Sequence, residues 1–134
     1  MTRILGVDYG SKRVGLALSD QLGLGATPHD VVDRGGAEAE IAHLVSEMEV
    51  GLVVVGLPTS LGGHEGPSAI EARNFGESLR RLTGVEVVFR DERFTSRIAE
   101  DRLVESGMRR RDRRSAVNKM AAAIILQDYL DTRE

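Results

Sequence analysis

The chain has 134 residues, 41% hydrophobic and 29% charged, with 18 basic and 21 acidic residues, a net charge of −3 and no cysteine. That profile predicts one globular domain, residues 1–134, with room for an ordinary hydrophobic core, and it excludes disulfides and thiolate zinc sites. No apolar run approaches the ~20 residues of a membrane-spanning helix, and Met1-Thr2-Arg3-Ile4-Leu5 lacks the apolar stretch of a signal peptide, so a cytoplasmic location is expected.

Ile4, Leu5 and Val7 lead to Asp8, and Val14, Leu16 and Leu18 alternate with small residues, which predicts a hairpin turning at Tyr9-Gly10-Ser11-Lys12. A third apolar stretch from Ala26 to Val32 contains Pro28, which suits an edge strand. Between Ala37 and Glu49 the residues Ile41, Leu44, Val45 and Met48 follow helical spacing. The unbroken run Leu52-Val53-Val54-Val55 then reads as a strand covered on both faces. A loop rich in turn formers, Gly56 to Pro67, precedes a helix with the stripe Ala72, Phe75, Leu79 and Leu82, and Pro67 suits its first turn. Val85 to Phe89 predicts another strand, and a polar helix is expected from about Thr95 to Ser106. The last helix, from about Ser115 to Leu130, is apolar nearly all round and must lie against the sheet under other structure. The order predicts an α/β fold on a mixed five-stranded sheet with helices on both faces.

Charge is unevenly spread. Residues 1–89 carry 7 basic and 12 acidic groups, residues 90–119 carry 10 and 6, and residues 120–134 carry 1 and 3. The +4 of the middle segment is concentrated in Arg109-Arg110-Arg111-Asp112-Arg113-Arg114, which reads as a solvated loop, a phosphate-binding patch or a mobile arm.

Asp8 ends an apolar strand beside a glycine-containing turn, where a carboxylate either points into a cleft or caps its own turn. Gly10 and Gly15 let a backbone or a phosphate come close. Asp91-Glu92-Arg93 follows the strand ending at Phe89, so its carboxylates converge with Asp8 if the two strands are parallel neighbours. Two or three such groups suit a hard divalent ion, which takes oxygen ligands and shares the substrate's phosphates. A metal pair can activate water and stabilise a leaving oxygen in phosphodiester cleavage. Local ion pairs of Arg90 and Arg93 with Asp91 and Glu92 are the plainer alternative. Asn118 stands at the third helical position if Ser115 is the cap, and capping alone explains an Asn there. His29, His43 and His64 are not clustered, the sequence identifies no triad pattern around His64, and its loop lacks a P-loop ending.

Four ordered blocks resemble one family. Ile4-Leu5-Gly6-Val7-Asp8-Tyr9-Gly10-Ser11-Lys12-Arg13-Val14-Gly15, Val54-Val55-Gly56-Leu57-Pro58, Asp91-Glu92-Arg93-Phe94-Thr95-Ser96 and Lys119-Met120-Ala121-Ala122-Ala123-Ile124-Ile125-Leu126-Gln127 together look like the YqgF family. Its members, also called RuvX, are bacterial Holliday-junction-resolvase-like proteins assigned to nuclease action on the 5′ end of pre-16S rRNA. The resemblance implies a ribonuclease-H-like fold and a phosphodiesterase using Mg²⁺ or Mn²⁺ at a two-metal site. It places the first carboxylate at Asp8, the second in Asp91-Glu92-Arg93, assigned to Glu92, and the third at Asn118, where the family usually has Asp. That departure fits a natural variant with altered metal use, a catalytically weak member or a deliberate inactivating substitution. Substrate contacts are expected from Lys12, Arg93, Lys119, the Gly62-Gly63 loop and the run Arg109, Arg110, Arg111, Arg113 and Arg114.

Three other readings stand beside it. Resolution of four-way DNA junctions needs two sites presented by a homodimer, and a non-catalytic RNA-binding assembly factor is made more credible by Asn118. Asp8-Tyr9-Gly10-Ser11 also resembles the first phosphate motif of actin-like ATPases, which need two such domains. With 2 Tyr, 3 Phe and no Trp, recognition is expected to rest on backbone shape and charge, with Tyr9 and Phe94 nearest the site.

Overall fold

The structure is a computed structural model describing residues 2–58, 64–92 and 95–133, without the side chains of Ser96, Arg97, Arg114 and Ser115. The elements are β1 (Arg3–Tyr9), β2 (Arg13–Ser19), β3 (Ala26–Asp33), a 3₁₀ turn (Arg34–Gly36), α1 (Ala37–Glu47), β4 (Val50–Leu57), α2 (Pro67–Thr83), β5 (Glu86–Asp91), α3 (Thr95–Glu105) and α4 (Arg110–Thr132). All five strands form one mixed sheet in the order β3-β2-β1-β4-β5. The β1–β2–β3 meander is antiparallel, whereas β4 and β5 add in parallel to β1. β3 is an edge, as Pro28 requires. Its register slips between Leu16, opposite Asp30, and Ala17, opposite Pro28, so His29 bulges out.

Strand alternation sorts the core into two layers. Leu5, Val7, Leu16, Val53 and Val55 pack with Ile41 of α1 and with Phe75 and Leu79 of α2. Ile4, Ala17 and Val54 pack with Ala122, Ile125 and Leu126 of α4. The apolar run at β4 is thus buried on both faces, as expected. In α2, Pro67 sits in the first turn and Gly84 closes the helix in the left-handed region, at φ 75°. Leu82 departs from the expected stripe and is 55% exposed. At 3.6 residues per turn the partly buried Thr83 takes the inward place after Leu79.

The last helix begins at Arg110, five residues before the expected start, with Arg109 as its N-cap. Arginine is a good helix former, and a first turn that is polar all round carries no apolar periodicity to reveal it. The arginine run is therefore mostly helix, neither a loop nor an arm.

Candidate active site

Alternation along β1 turns Ile4, Gly6 and Asp8 toward α4. Asp8 lies opposite Gly15 of β2, and a Cβ at Gly15 would stand 2.0 Å from the Asn118 carbonyl oxygen. Only glycine lets the helix backbone approach so closely. A Cβ at Gly10 would meet the Asn118 amide nitrogen at 2.7 Å. In the space these glycines leave, Asn118 Nδ2 donates a hydrogen bond to Asp8 Oδ2 at 3.2 Å. Because α4 starts at Arg110, Asn118 stands two turns inside it. The capping explanation is thereby excluded: helix interior amides are already bonded within the helix.

β5 is parallel to β1 but is not its neighbour, since β4 lies between them. Glu92 reaches the same region by another route. Its backbone N–H donates to the Leu57 carbonyl at 2.9 Å, and its side chain passes over β4 at Gly56, where an added Cβ would stand 3.2 Å from Glu92 Cγ. The Thr95 hydroxyl donates to Glu92 Oε2 at 2.8 Å. Oε1 is buried and has no hydrogen-bond partner among the described residues. Asp91, the preceding residue, is exposed.

Burial pushes the Asp8 carboxyl up from its ordinary 3.8 to about 6, with the Asn118 hydrogen bond pulling the other way. Burial likewise raises Glu92, against the Thr95 hydroxyl. Both carboxylates are thus held where a proton or a cation stabilises them. Among the described residues no three His, Cys, Asp or Glu form a metal cluster. The donor set is two carboxylates and one amide, all oxygen donors of the kind a hard divalent cation takes. Glu92 Oε1, without a hydrogen-bond partner among the described residues, is the atom such an ion would satisfy.

Of the basic residues, Lys12 is exposed on the β1–β2 turn, Lys119 is half-buried beside Asn118, and Arg109, Arg110 and Arg111 are exposed. Arg110 lies eight residues before Asn118, roughly 12 Å along the helix axis at ~1.5 Å per residue. Arg113 is already engaged: Nε pairs with Glu100 at 3.1 Å and Nη1 donates to the Met108 carbonyl at 2.8 Å, tying α4 to α3. The side chain of Arg114, the residues Arg93 and Phe94, and the Gly62-Gly63 pair lie outside the described residues. Two participants were not singled out from sequence: Thr95 as the partner of Glu92, and Gly56 beneath it. Thr95 follows Glu92 by three residues, a spacing that could have flagged it.

The fold is the ribonuclease-H-like fold of the RuvC proteins. A Thermus thermophilus RuvC, solved in complex with a Holliday junction substrate, matches with a TM-score of 0.59 at 15% identity, covering 97% of this chain and 94% of that one. The family described as "RuvX: Holliday junction resolvase" matches residues 2–132, and the chain belongs to this family. Relatives named "Putative pre-16S rRNA nuclease" are 47% identical in Anaeromyxobacter sp. (98% of each chain covered) and 41% identical in Lactococcus lactis subsp. cremoris (96% of this chain, 94% of the relative). Among the described residues no helix is long and apolar enough to cross a membrane.

Proposed function

We propose that residues 1–134 act as one ribonuclease-H-like unit, a cytoplasmic metal-dependent nuclease that processes the 5′ end of pre-16S rRNA. The observation that supports this reading is the Asp8–Asn118 hydrogen bond on the α4 side of β1, with Glu92 lying over Gly56 of the neighbouring β4 and its Oε1 buried and without a hydrogen-bond partner among the described residues. The relatives' printed name supplies the substrate.

Asp8 and Glu92, with the Asn118 amide oxygen, are the groups to hold Mg²⁺ or Mn²⁺. When bound, the ion supplies Lewis-acid activation of water and charge stabilisation at the leaving oxygen. Thr95 fixes the Glu92 rotamer, leaving one oxygen for the site. Asn118 fixes Asp8 and contributes one neutral oxygen where an Asp would add a full charge. Lys12, Lys119 and the exposed Arg109, Arg110 and Arg111 hold the phosphate backbone, a sequence-independent attraction that weakens with salt. Arg113 takes no part, because its guanidinium braces α3.

Cutting of four-way DNA junctions is the second reading, favoured by the family description and the RuvC fold. It requires a dimer presenting two sites. The test is cleavage of end-labelled precursor rRNA and of a four-way junction by the chain as it stands and by Asn118→Asp, with Mn²⁺ and with EDTA. Asn118→Asp is expected to cut at least tenfold faster in Mn²⁺ and not at all in EDTA, with rRNA preferred. Preference for the junction by a dimer would select the second reading. Binding of RNA with no cutting by either version would make the protein a binding factor and end the nuclease assignment.

A further inference from the structure

Tyr9 follows Asp8 in β1 and so faces the other side of the sheet. Its ring stacks on Phe75 with centroids 4.2 Å apart and 21° between planes. Over Tyr9 lies the Arg34 guanidinium, 4.3 Å from the ring centroid. Arg34 is not a free surface arginine. Nη1 donates to the Ser11 carbonyl at 3.2 Å, Nη2 pairs with Glu71, and the backbone N–H donates to the Lys12 carbonyl at 3.0 Å. The side chain nevertheless remains 30% exposed. Phe75 and Tyr9 are therefore stacked rings, and the Arg34 guanidinium covers the Tyr9 ring as a clamped, partly exposed planar cation.

Three recesses with shared lining residues lie between these groups and the candidate active site. One of about 370 Å³ is lined by Arg34, Tyr9, Glu38 and Glu71, and a second of about 200 Å³ shares Arg34 and adds Gly10 and Ser11. A third, about 320 Å³, runs from Ser11 past Lys12 and Arg13 to Asn118. The chemistry changes along the way. Lys12 and Arg13 flank the middle of the path and suit phosphates. Glu38 and Glu71 at the far end repel phosphates but accept hydrogen bonds from the N–H edges of bases.

We propose that Arg34 is a stacking platform for one unpaired nucleobase of the bound strand. The strand runs from the Asp8–Asn118 cleft around the β1–β2 turn, its backbone against Lys12 and Arg13, and lays a base on the guanidinium. Guanidinium planes stack on exposed bases, and a clamped one loses little freedom on doing so. The inference rests on the nucleic-acid reading above and adds to it a single-stranded segment beside the cut and a residue that reads it.

The test measures affinity, with EDTA present, for single-stranded RNAs in which one abasic site is moved along the strand. Arg34→Lys keeps the charge but not the plane. The intact chain is expected to lose about five- to a hundredfold in affinity at one abasic position, the range of a base stacked on a side chain. Arg34→Lys is expected to bind intact RNA weaker by the same factor and to be indifferent to that abasic site. Should Arg34→Lys fold poorly, the abasic scan on the intact chain alone decides. Equal affinity at every abasic position, or an abasic penalty unchanged in Arg34→Lys, would overturn the platform. If RNA is still bound, and cut by Asn118→Asp, the nuclease reading survives that result; if no RNA is bound or cut, both readings fall.

Discussion

The two faces of the sheet are packed by different rules. Toward α1 and α2 the strands present Leu5, Val7, Leu16, Val53 and Val55, and the layers are kept apart by the bulk of interlocking aliphatic side chains. Toward α4 they present glycine at the places that matter, so that backbone meets backbone at Gly15 and a carboxylate crosses the strand at Gly56. The difference shows how a polar site is made inside a small protein. Asp8 and Asn118 are short side chains, and they touch only because nothing larger than hydrogen separates their elements.

Adjacent residues test this contrast most severely. Gly15→Ala adds one methyl against the Asn118 and Lys119 backbone, where the helix must shift as a body, and it is expected to cost about 3 kcal/mol or more. Leu16→Ala removes three carbons on the opposite face and is expected to cost a similar 2–5 kcal/mol. Urea denaturation of both measures the ratio, and a near-neutral Gly15→Ala would mean that α4 is not seated on the backbone of β2.

Asp8→Asn separates the price of the site from its use. Because the folded chain holds the Asp8 proton to about pH 6 and the ordinary value is 3.8, the fold is favoured by this group below about pH 4. That advantage is lost as pH rises through about 6. The substitution is therefore expected to raise stability above pH 7, without divalent ions, by on the order of 3 kcal/mol. The gain should shrink to nothing near pH 4, and cleavage should be abolished. Urea midpoints across that range decide it, and parallel profiles for the two proteins would show that Asp8 costs the fold nothing.

The smallest effect belongs to Glu92. Thr95→Val keeps the shape of a side chain only 5% exposed and removes the hydrogen bond to Oε2, for an expected loss of about 1 kcal/mol. Repeating it in Glu92→Gln gives the coupling energy in a double-mutant cycle. Zero coupling would mean that the hydroxyl does not hold the carboxylate.

Much of this architecture was legible because hydrophobic period is a local signal. The hairpin, the edge position of Pro28 and the doubly covered Val53-Val54-Val55 follow from spacing alone. The start of α4 was missed because Arg110-Arg111-Asp112 has no apolar member to mark a period. The position of β4 between β1 and β5 escaped for another reason: parallel order depends on crossovers, and neighbouring residues do not encode it. Asp8 and the Asp91-Glu92 pair stand out as carboxylates at strand ends, and the choice of Glu92 between the two comes from the family resemblance. What held them was hidden, since the Asn118 bond joins residues 110 apart, and the role of Gly56 exists only once Glu92 lies across it. The Tyr9–Arg34 contact is closer in sequence, 25 residues, but joins a strand to a 3₁₀ turn across β2 and β3 and carries no local signal.

One consequence concerns timing. Asp8 and its glycine partners lie in the first hairpin, whereas Asn118 arrives on α4, which follows every strand in the chain. During synthesis the meander and the parallel strands emerge with the α4 face of the sheet still bare and the carboxylates still in water. Assembly of the candidate site therefore waits for the docking of a single helix: until α4 seats on Gly15, Asp8 has no Asn118 to hold it, and a half-made copy carries the carboxylates without their arrangement.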